Sequence, residues 1–221
     1  MSERSSGTLY VVATPIGILG DLTRRAEEGL RGASLIACED TRHTARLASR
    51  YGMHAARMSL HAHNEQERVR AVIERLKGGS DVALVSDAGL PGISDPGQRL
   101  IASCRAAGMR AEVLPGPCAP VTALAGSGFP ADAFFFGGFL PNKSVGRERM
   151  IREALEREVT SVFLESPHRL LRTLEATAAM EEARPVCIGI ISASTYPRRQ
   201  AGSWRFLGTW TSCSTIRRLR L

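Results

Sequence analysis

Short apolar runs alternate with amphipathic stretches through the first 115 residues, and that alternation predicts strands each followed by a helix. LYVVAT (9–14) predicts a buried first strand, and the loop 15–20 leads to a helix start with Asp21 as cap. SLIAC (34–38) predicts a second strand, after which EDTRHT (39–44) opens another helix. Asn64 followed by Glu67 has the spacing of a capped start, and Val69, Val72, Ile73 and Leu76 supply the apolar stripe of the helix behind it. Gly78-Gly79 ends that helix, a strand follows at 81–85, and another at 111–114 runs into Pro115-Gly116-Pro117. Such an order predicts an α/β domain with a mostly parallel sheet covered on both faces.

After Pro117 the character changes. Residues 118–127 predict a helix of small residues, 134–136 begin a strand, and 143–158 predict a charged helix. SVFL (161–164) predicts a further strand, Pro167 starts a helix reaching about Glu182, and 185–190 begin one more strand. The Pro-Gly-Pro turn divides the chain into an N-terminal α/β domain (8–117) and a C-terminal one (118–190). Residues 191–221 form an atypical basic tail without a clear apolar period.

The loop from Ser86 to Gly97 (SDAGLPGISDPG) stands out, with three glycines and two prolines between strand 81–85 and the next helix. A purely structural connection of this kind needs about 2–6 residues. Twelve residues that let backbone groups approach closely predict a binding loop at a strand's carboxyl end. Asp95 as cap and Pro96 as first helical residue would mark the following helix.

Composition narrows the classes. With 43% hydrophobic and 23% charged residues, the chain has the balance of a soluble globular protein, and it holds no run of about 20 apolar residues. The short polar N-terminus does not resemble a signal peptide. Five scattered cysteines (Cys38, Cys104, Cys118, Cys187, Cys213) without a CxxC pair predict reduced, mostly buried thiols. The net charge of +7 is localised: residues 184–221 carry seven arginines and no acidic residue. Taking those seven from the 29 basic residues leaves 22 against 22 acidic ones, so the body is neutral.

Chemistry is carried by a few clusters. There is no GxGxxG after a strand, no GxxxxGK[ST] and no Gly-x-Ser-x-Gly elbow, which sets aside the common nucleotide folds and nucleophilic hydrolases. His61 and His63 with Glu65 have the alternation of metal ligands but lack further ligands, so a polar loop and a helix start explain them better. EDTRHT (with His43) and ESPHR (165–169) each follow a strand, the place where open α/β folds assemble sites. Together with the glycine loop they are expected to share a cleft. In GGFLPNKS (137–144) close backbone approach is followed by a cation, Lys143.

LYVVATPIGILGD (9–21), LIACEDTRHT (35–44), 61–67, 82–97, LPGPCAPVTAL (114–124), GFLPNKS (138–144) and ESPHRL (165–170) occur in this order. As a set they closely resemble the family of small-subunit ribosomal RNA methyltransferases in the tetrapyrrole-methylase-like superfamily, over about residues 8–189. The resemblance implies two α/β domains with a cofactor cleft between them. It also implies a dimeric cytoplasmic enzyme that 2′-O-methylates a cytidine ribose of 16S rRNA with S-adenosylmethionine, and no metal. Carried across, it sets the cofactor against Pro15, Asp87, Ala88, Gly89, Ile93, Cys118, Ala119 and Leu164. A ribose hydroxyl is a weak nucleophile, so a base is expected, with Glu39, Asp40, His43 and Glu165 all open as candidates. Arg42, Lys143, His168 and Arg169 are the expected contacts to RNA. Methylation of a small tetrapyrrole on the same scaffold, or an inactive RNA-binding or assembly protein, are the alternatives.

This chain departs from the family in three places. Ile18 stands where the family carries Asn, and Leu90 where it carries Thr. Beyond Gly189 the resemblance stops, acidic residues disappear, and the C-terminal domain is expected to be incomplete. A shifted reading frame produces such a change, and resequencing the coding region tests that origin.

Overall fold

The computed structural model describes residues 6–61, 64–180, 186–190 and 205–210; His63 and the rest of the basic tail lie outside them. The chain divides into two units, one holding the residues up to Cys118 and the other starting at Ala119.

In the first unit five strands form one parallel sheet: β1 (Thr8–Val12), β2 (Leu35–Cys38), β3 (Ala56–Ser59), β4 (Val82–Val85) and β5 (Arg110–Leu114), in the order β3-β2-β4-β1-β5. β1, β2 and β4 are short apolar runs because both of their faces are buried. Val12, Ile36, Cys38, Ala83 and Val85 pack against α1 (Arg24–Gly32) and α2 (Thr41–Tyr51). Their alternate neighbours Leu9, Val11, Leu35, Ala37, Val82 and Leu84 pack against α3 (Glu65–Lys77) and α4 (Gln98–Ala106). Each fully buried Leu or Val contributes about 1.5–3 kcal/mol.

Helix starts differ in detail from the sequence expectation. α1 is capped by Thr23, whose hydroxyl accepts the Ala26 N–H at 3.2 Å; Asp21 instead closes a short 3-10 turn, Leu19–Asp21. Asn64 does precede α3, but its side chain ties the loop before it, accepting from His61 N at 2.9 Å and donating to Ser59 O at 3.1 Å. α4 begins two residues after Pro96, at Gln98, and its cap position is Gly97 with φ +119°. A side chain at Gly97 would meet Leu84 Cδ2 at 2.8 Å, so glycine is required there on both counts. Asp95 is thereby freed for the site. The start of α4 receives Glu65 instead, with its buried carboxylate 3.4 Å from Leu100 N.

The second unit contains α5 (Ala119–Ser127), β6 (Phe134–Phe139), α6 (Ser144–Leu155), β7 (Thr160–Leu164) and α7 (Pro167–Ala178). β6 and β7 are parallel, while β8 (Val186–Ile190) and β9 (Arg205–Trp210) form an antiparallel pair. α7 stops at Ala178, short of the predicted Glu182. Among the described residues no helix is long and apolar enough to cross a membrane, and no three His, Cys, Asp or Glu residues are grouped to hold a metal ion.

Candidate functional site

Sheet order creates the site. β1 and β2 send their chains over the face carrying α1 and α2, whereas β4, which lies between them, sends its chain over the face carrying α4. Chains that leave in opposite directions open a crevice at the carboxyl end of the sheet, here over β4. The glycine loop fills that place. Thr14 and Gly89 pair across it, with Thr14 N–H donating to Gly89 O at 2.9 Å and Gly89 N–H to Thr14 O at 3.1 Å. The Thr14 hydroxyl donates to Ser86 O at 3.1 Å, and the Ser86 hydroxyl to Gly89 O at 3.2 Å. Gly89 has φ +88°, and a side chain there would lie 3.4 Å from Ile16 Cγ2 and 3.7 Å from Pro117 O. Those are ordinary contact distances, so it is the left-handed backbone that favours glycine at this point.

On the other side of β4 the contact is polar. The Asp87 carboxylate accepts the Asp40 backbone N–H at 3.2 Å, which joins the loop after β4 to the loop after β2. Glu39, Asp40, Asp87 and Asp95 therefore interact as one group of carboxylates. Burial pushes the Glu39 carboxyl above its ordinary value, and Asp87, Asp95 and Asp40 push it further. Glu39 itself is more than a third exposed, so solvent moderates that effect. Asp95 is also raised by burial, against a hydrogen bond to Ser86 that favours its charge and with Asp87 adding to the shift. Asp40 goes the other way. It caps α2, accepting Arg42 N–H at 2.8 Å, and that bond, followed by the Arg42 side chain, holds its carboxyl below the usual range. Arg42 is exposed, and His43 is half-buried on the first turn of α2.

The remaining predicted donor contacts are distributed differently. Pro15 is buried directly after Thr14, and Ala88 is exposed between Asp87 and Gly89. Ile93 is 43% exposed and lines an apolar groove of about 400 Å³ along α4 and the edge strand β5, with Leu90, Ile101 and Val113; Asp87, Ala88 and Gly89 are not part of its lining. Cys118 ends the first unit, Ala119 starts the second, and Leu164 ends β7.

In the second unit the ESPHR and GFLPNKS segments are brought together. Glu165 Oε1 accepts from Ser166 N–H at 2.7 Å and from Arg169 Nη2 at 2.7 Å, and Oε2 accepts the Thr173 hydroxyl at 2.6 Å. Arg169 Nη1 donates to Leu140 O at 3.2 Å and to Asn142 Oδ1. Lys143 precedes α6 and is exposed, as is His168 on α7. Residue-type reasoning missed Thr14, Ser86, Asn142, Thr173 and the site role of Asp95. A threonine at a strand end next to proline was the one visible signal among them.

Comparison with known proteins agrees with this architecture. Residues 8–202 match the family described as Tetrapyrrole (Corrin/Porphyrin) Methylases. A ribosomal RNA small subunit methyltransferase I of Escherichia coli is 47% identical over 188 residues, covering 85% of this chain and 66% of its own length. Its counterpart in Haemophilus influenzae is 46% identical over 206 residues, 93% of this chain and 73% of that protein. The one in Pseudomonas aeruginosa is 49% identical over 170 residues, 77% of this chain and 60% of that protein. The chain thus spans about three fifths to just under three quarters of the length of these relatives, and the family match and the Haemophilus alignment both continue past Gly189. Among solved structures, the methyltransferase CobJ superposes with a TM-score of 0.66 at 24% identity, covering 97% of this chain and 89% of that one. A uroporphyrin-III-C-methyltransferase from Thermus thermophilus gives 0.60 at 20% identity, covering 85% and 81%. At these identities the structural likeness establishes the fold.

Proposed function

This chain belongs to the tetrapyrrole (corrin/porphyrin) methylase family, and from that premise we propose that it transfers a methyl group from S-adenosylmethionine to a cytidine ribose 2′-hydroxyl of 16S rRNA. The observation that carries the reading is the carboxylate group over β4, set beside the Thr14–Gly89 pairing of two loops. Carboxylates that raise one another's pKa are relieved by a cation. S-adenosylmethionine brings two, a sulfonium and an ammonium, so the residues present suit it. When bound, it supplies an electrophilic methyl group.

Asp87, Ala88 and Gly89 would hold the donor, with Asp87 facing its positive groups and the backbone at Gly89 admitting it closely. Pro15, buried beside the Thr14–Gly89 pair, fixes the other wall. Transfer from a sulfonium is an in-line displacement that depends on positioning, and the rigid pairing of the two loops meets that demand.

Glu39 is the carboxylate best suited to take the ribose proton. Burial and the neighbouring carboxylates raise its pKa above the ordinary value, which makes it a stronger base than an ordinary carboxylate, and its side chain stays accessible. Asp40 is held in its charged form by its cap bonds, and Glu165 has both oxygens engaged. Lys143 and Arg42, both exposed, are the cations available to RNA phosphates. We further propose that the enzyme is a cytoplasmic homodimer, as the resemblance of its motifs implies.

Calorimetric titration with S-adenosylmethionine, then transfer of labelled methyl to small ribosomal subunits with mapping of the modified nucleotide, tests this reading. One-site binding and a single modified cytidine ribose are expected. A folded protein that binds no donor would overturn the enzyme assignment. Donor binding with transfer only to a tetrapyrrole would overturn the substrate.

A further inference from the structure

Arg169 has the charge and the place of a residue that touches RNA, yet its bonds lead inward. One nitrogen, Nη2, is 2.7 Å from Glu165 Oε1, with the Glu165 side chain only 8% exposed. The other, Nη1, donates to Leu140 O at 3.2 Å and to Asn142 Oδ1. Glu165 is fixed in turn by Ser166 N–H and the Thr173 hydroxyl. Asn142 is gripped from a second helix as well, since the buried Arg147 of α6 donates from Nη1 to its backbone carbonyl at 3.3 Å. Two arginines from two helices thus hold one loop residue by its side chain and by its backbone. The next residue is Lys143, exposed and in no ion pair among the described residues.

A guanidinium presents its donors in a fixed planar fork, so engaging both arms on protein acceptors sets the geometry of whatever carries those acceptors. Here that is the segment 140–142. Resting on the RNA reading above, we propose that Arg169 is a positioning residue: with Glu165 behind it, it locks the loop at Asn142 so that Lys143 makes the phosphate contact, and it touches no phosphate itself. Arg147 is the second hold on the same loop. This assigns the ESPHR segment to substrate placement and removes Glu165 from the proton-transfer step.

Salt dependence of binding separates the two roles, because each phosphate contact contributes about 0.7–0.9 to the slope of log K against log salt. The full chain is measured by filter binding to 16S rRNA as wild type, Lys143→Gln, Arg169→Gln, the double variant and Asn142→Ala, with thermal melts alongside. Lys143→Gln is expected to lower the slope by about one contact. Arg169→Gln is expected to lower it by the same amount, and the double variant by no more than either alone. Asn142→Ala keeps every charge and the Glu165–Arg169 pair, so it decides between the two roles should Arg169→Gln fail to fold. A reduced slope for Asn142→Ala supports the clamp, because a direct Arg169–phosphate contact would survive that change.

Additive losses in the double variant, or an Asn142→Ala protein with wild-type slope, overturn the positioning role while the RNA reading stands. A wild-type chain with no salt-dependent affinity for 16S rRNA overturns the RNA reading and the clamp with it.

Discussion

Glu39 directly follows β2 and Glu165 directly follows β7, so position along the chain gives the two carboxylates equal claims to chemistry. Their surroundings separate them. Glu39 lies among Asp40, Asp87 and Asp95, none of which favours its charge. Glu165 receives three donors, a backbone N–H, a hydroxyl and a guanidinium, and its side chain is 8% exposed. A carboxylate facing like charges stores a tendency to take up a proton or a cation, whereas one with both oxygens engaged by donors stores structure. Motif position locates the strand ends; only the partners in space tell the reactive end from the rigid one.

The largest effect expected from this contrast is kinetic. Glu39→Gln keeps the shape and removes the base, and it should lower kcat for rRNA methylation by about 10²–10⁴-fold with little change in donor affinity. Single-turnover methyl transfer at saturating donor measures it. A rate within a few-fold of wild type would return the base role to His43 or Asp40. Glu165→Ala should act on stability instead. It leaves Arg169 half-buried without its anion, and the loss is about 2–4 kcal/mol in urea melts, reduced from a fully buried pair by Arg169's 23% side-chain exposure. A Glu165→Ala protein that melts like wild type but has lost catalysis would reverse the comparison.

How much of this was legible in the chain follows from what each feature depends on. β1, β2 and β4 announced themselves as apolar runs because both faces are buried. β3, Ala56-Arg57-Met58-Ser59, is an edge strand with an exposed first half and no apolar run, so only its pairing with β2 makes it a strand. The glycine loop was visible from composition. Its helix start was not, because the cap at Gly97 is read from its left-handed backbone and from Leu84, which leaves no room for a side chain there and lies 13 residues away in sequence. Of the thiols, Cys38 and Cys104 are buried as expected and Cys118 is partly buried; burial pushes Cys104 up to about 11, while the Cys187 side chain and Cys213 lie outside the described residues. EDTRHT and SDAG marked the ends of β2 and β4, but the link between them, Asp40 N–H to Asp87, spans 47 residues and exists only once β2 and β4 are neighbours. Asn142 lies inside GFLPNKS without standing out there, and Thr173 lies in no motif. They matter because they stand next to Arg169 and Glu165.

The smallest expected effect tests the strain in the carboxylate group directly. Glu39 has an ordinary value of 4.5 and a raised one in the folded chain, so between those two values the folded state binds more protons than the unfolded state. Stability therefore falls as pH rises through that window, and the penalty is complete above it. Asp95, raised from 3.8, has the same sign. Asp40 has the opposite one: its contribution is present above 3.8 and is lost as pH falls through its lowered folded value. Glu39→Gln removes one raised group and leaves the others. Thermal melts of wild type and variant should coincide in pH dependence below about 4.5 and then diverge, with the variant gaining on wild type by less than ~1 kcal/mol, since Glu39 is over a third exposed. A gain with that sign and window means that burial of Glu39, together with the like charges around it at the carboxyl end of the sheet, works against the fold in the unliganded protein. If the variant instead loses stability as pH rises, the fold holds Glu39 in its charged form, and the contrast between the two ends is gone.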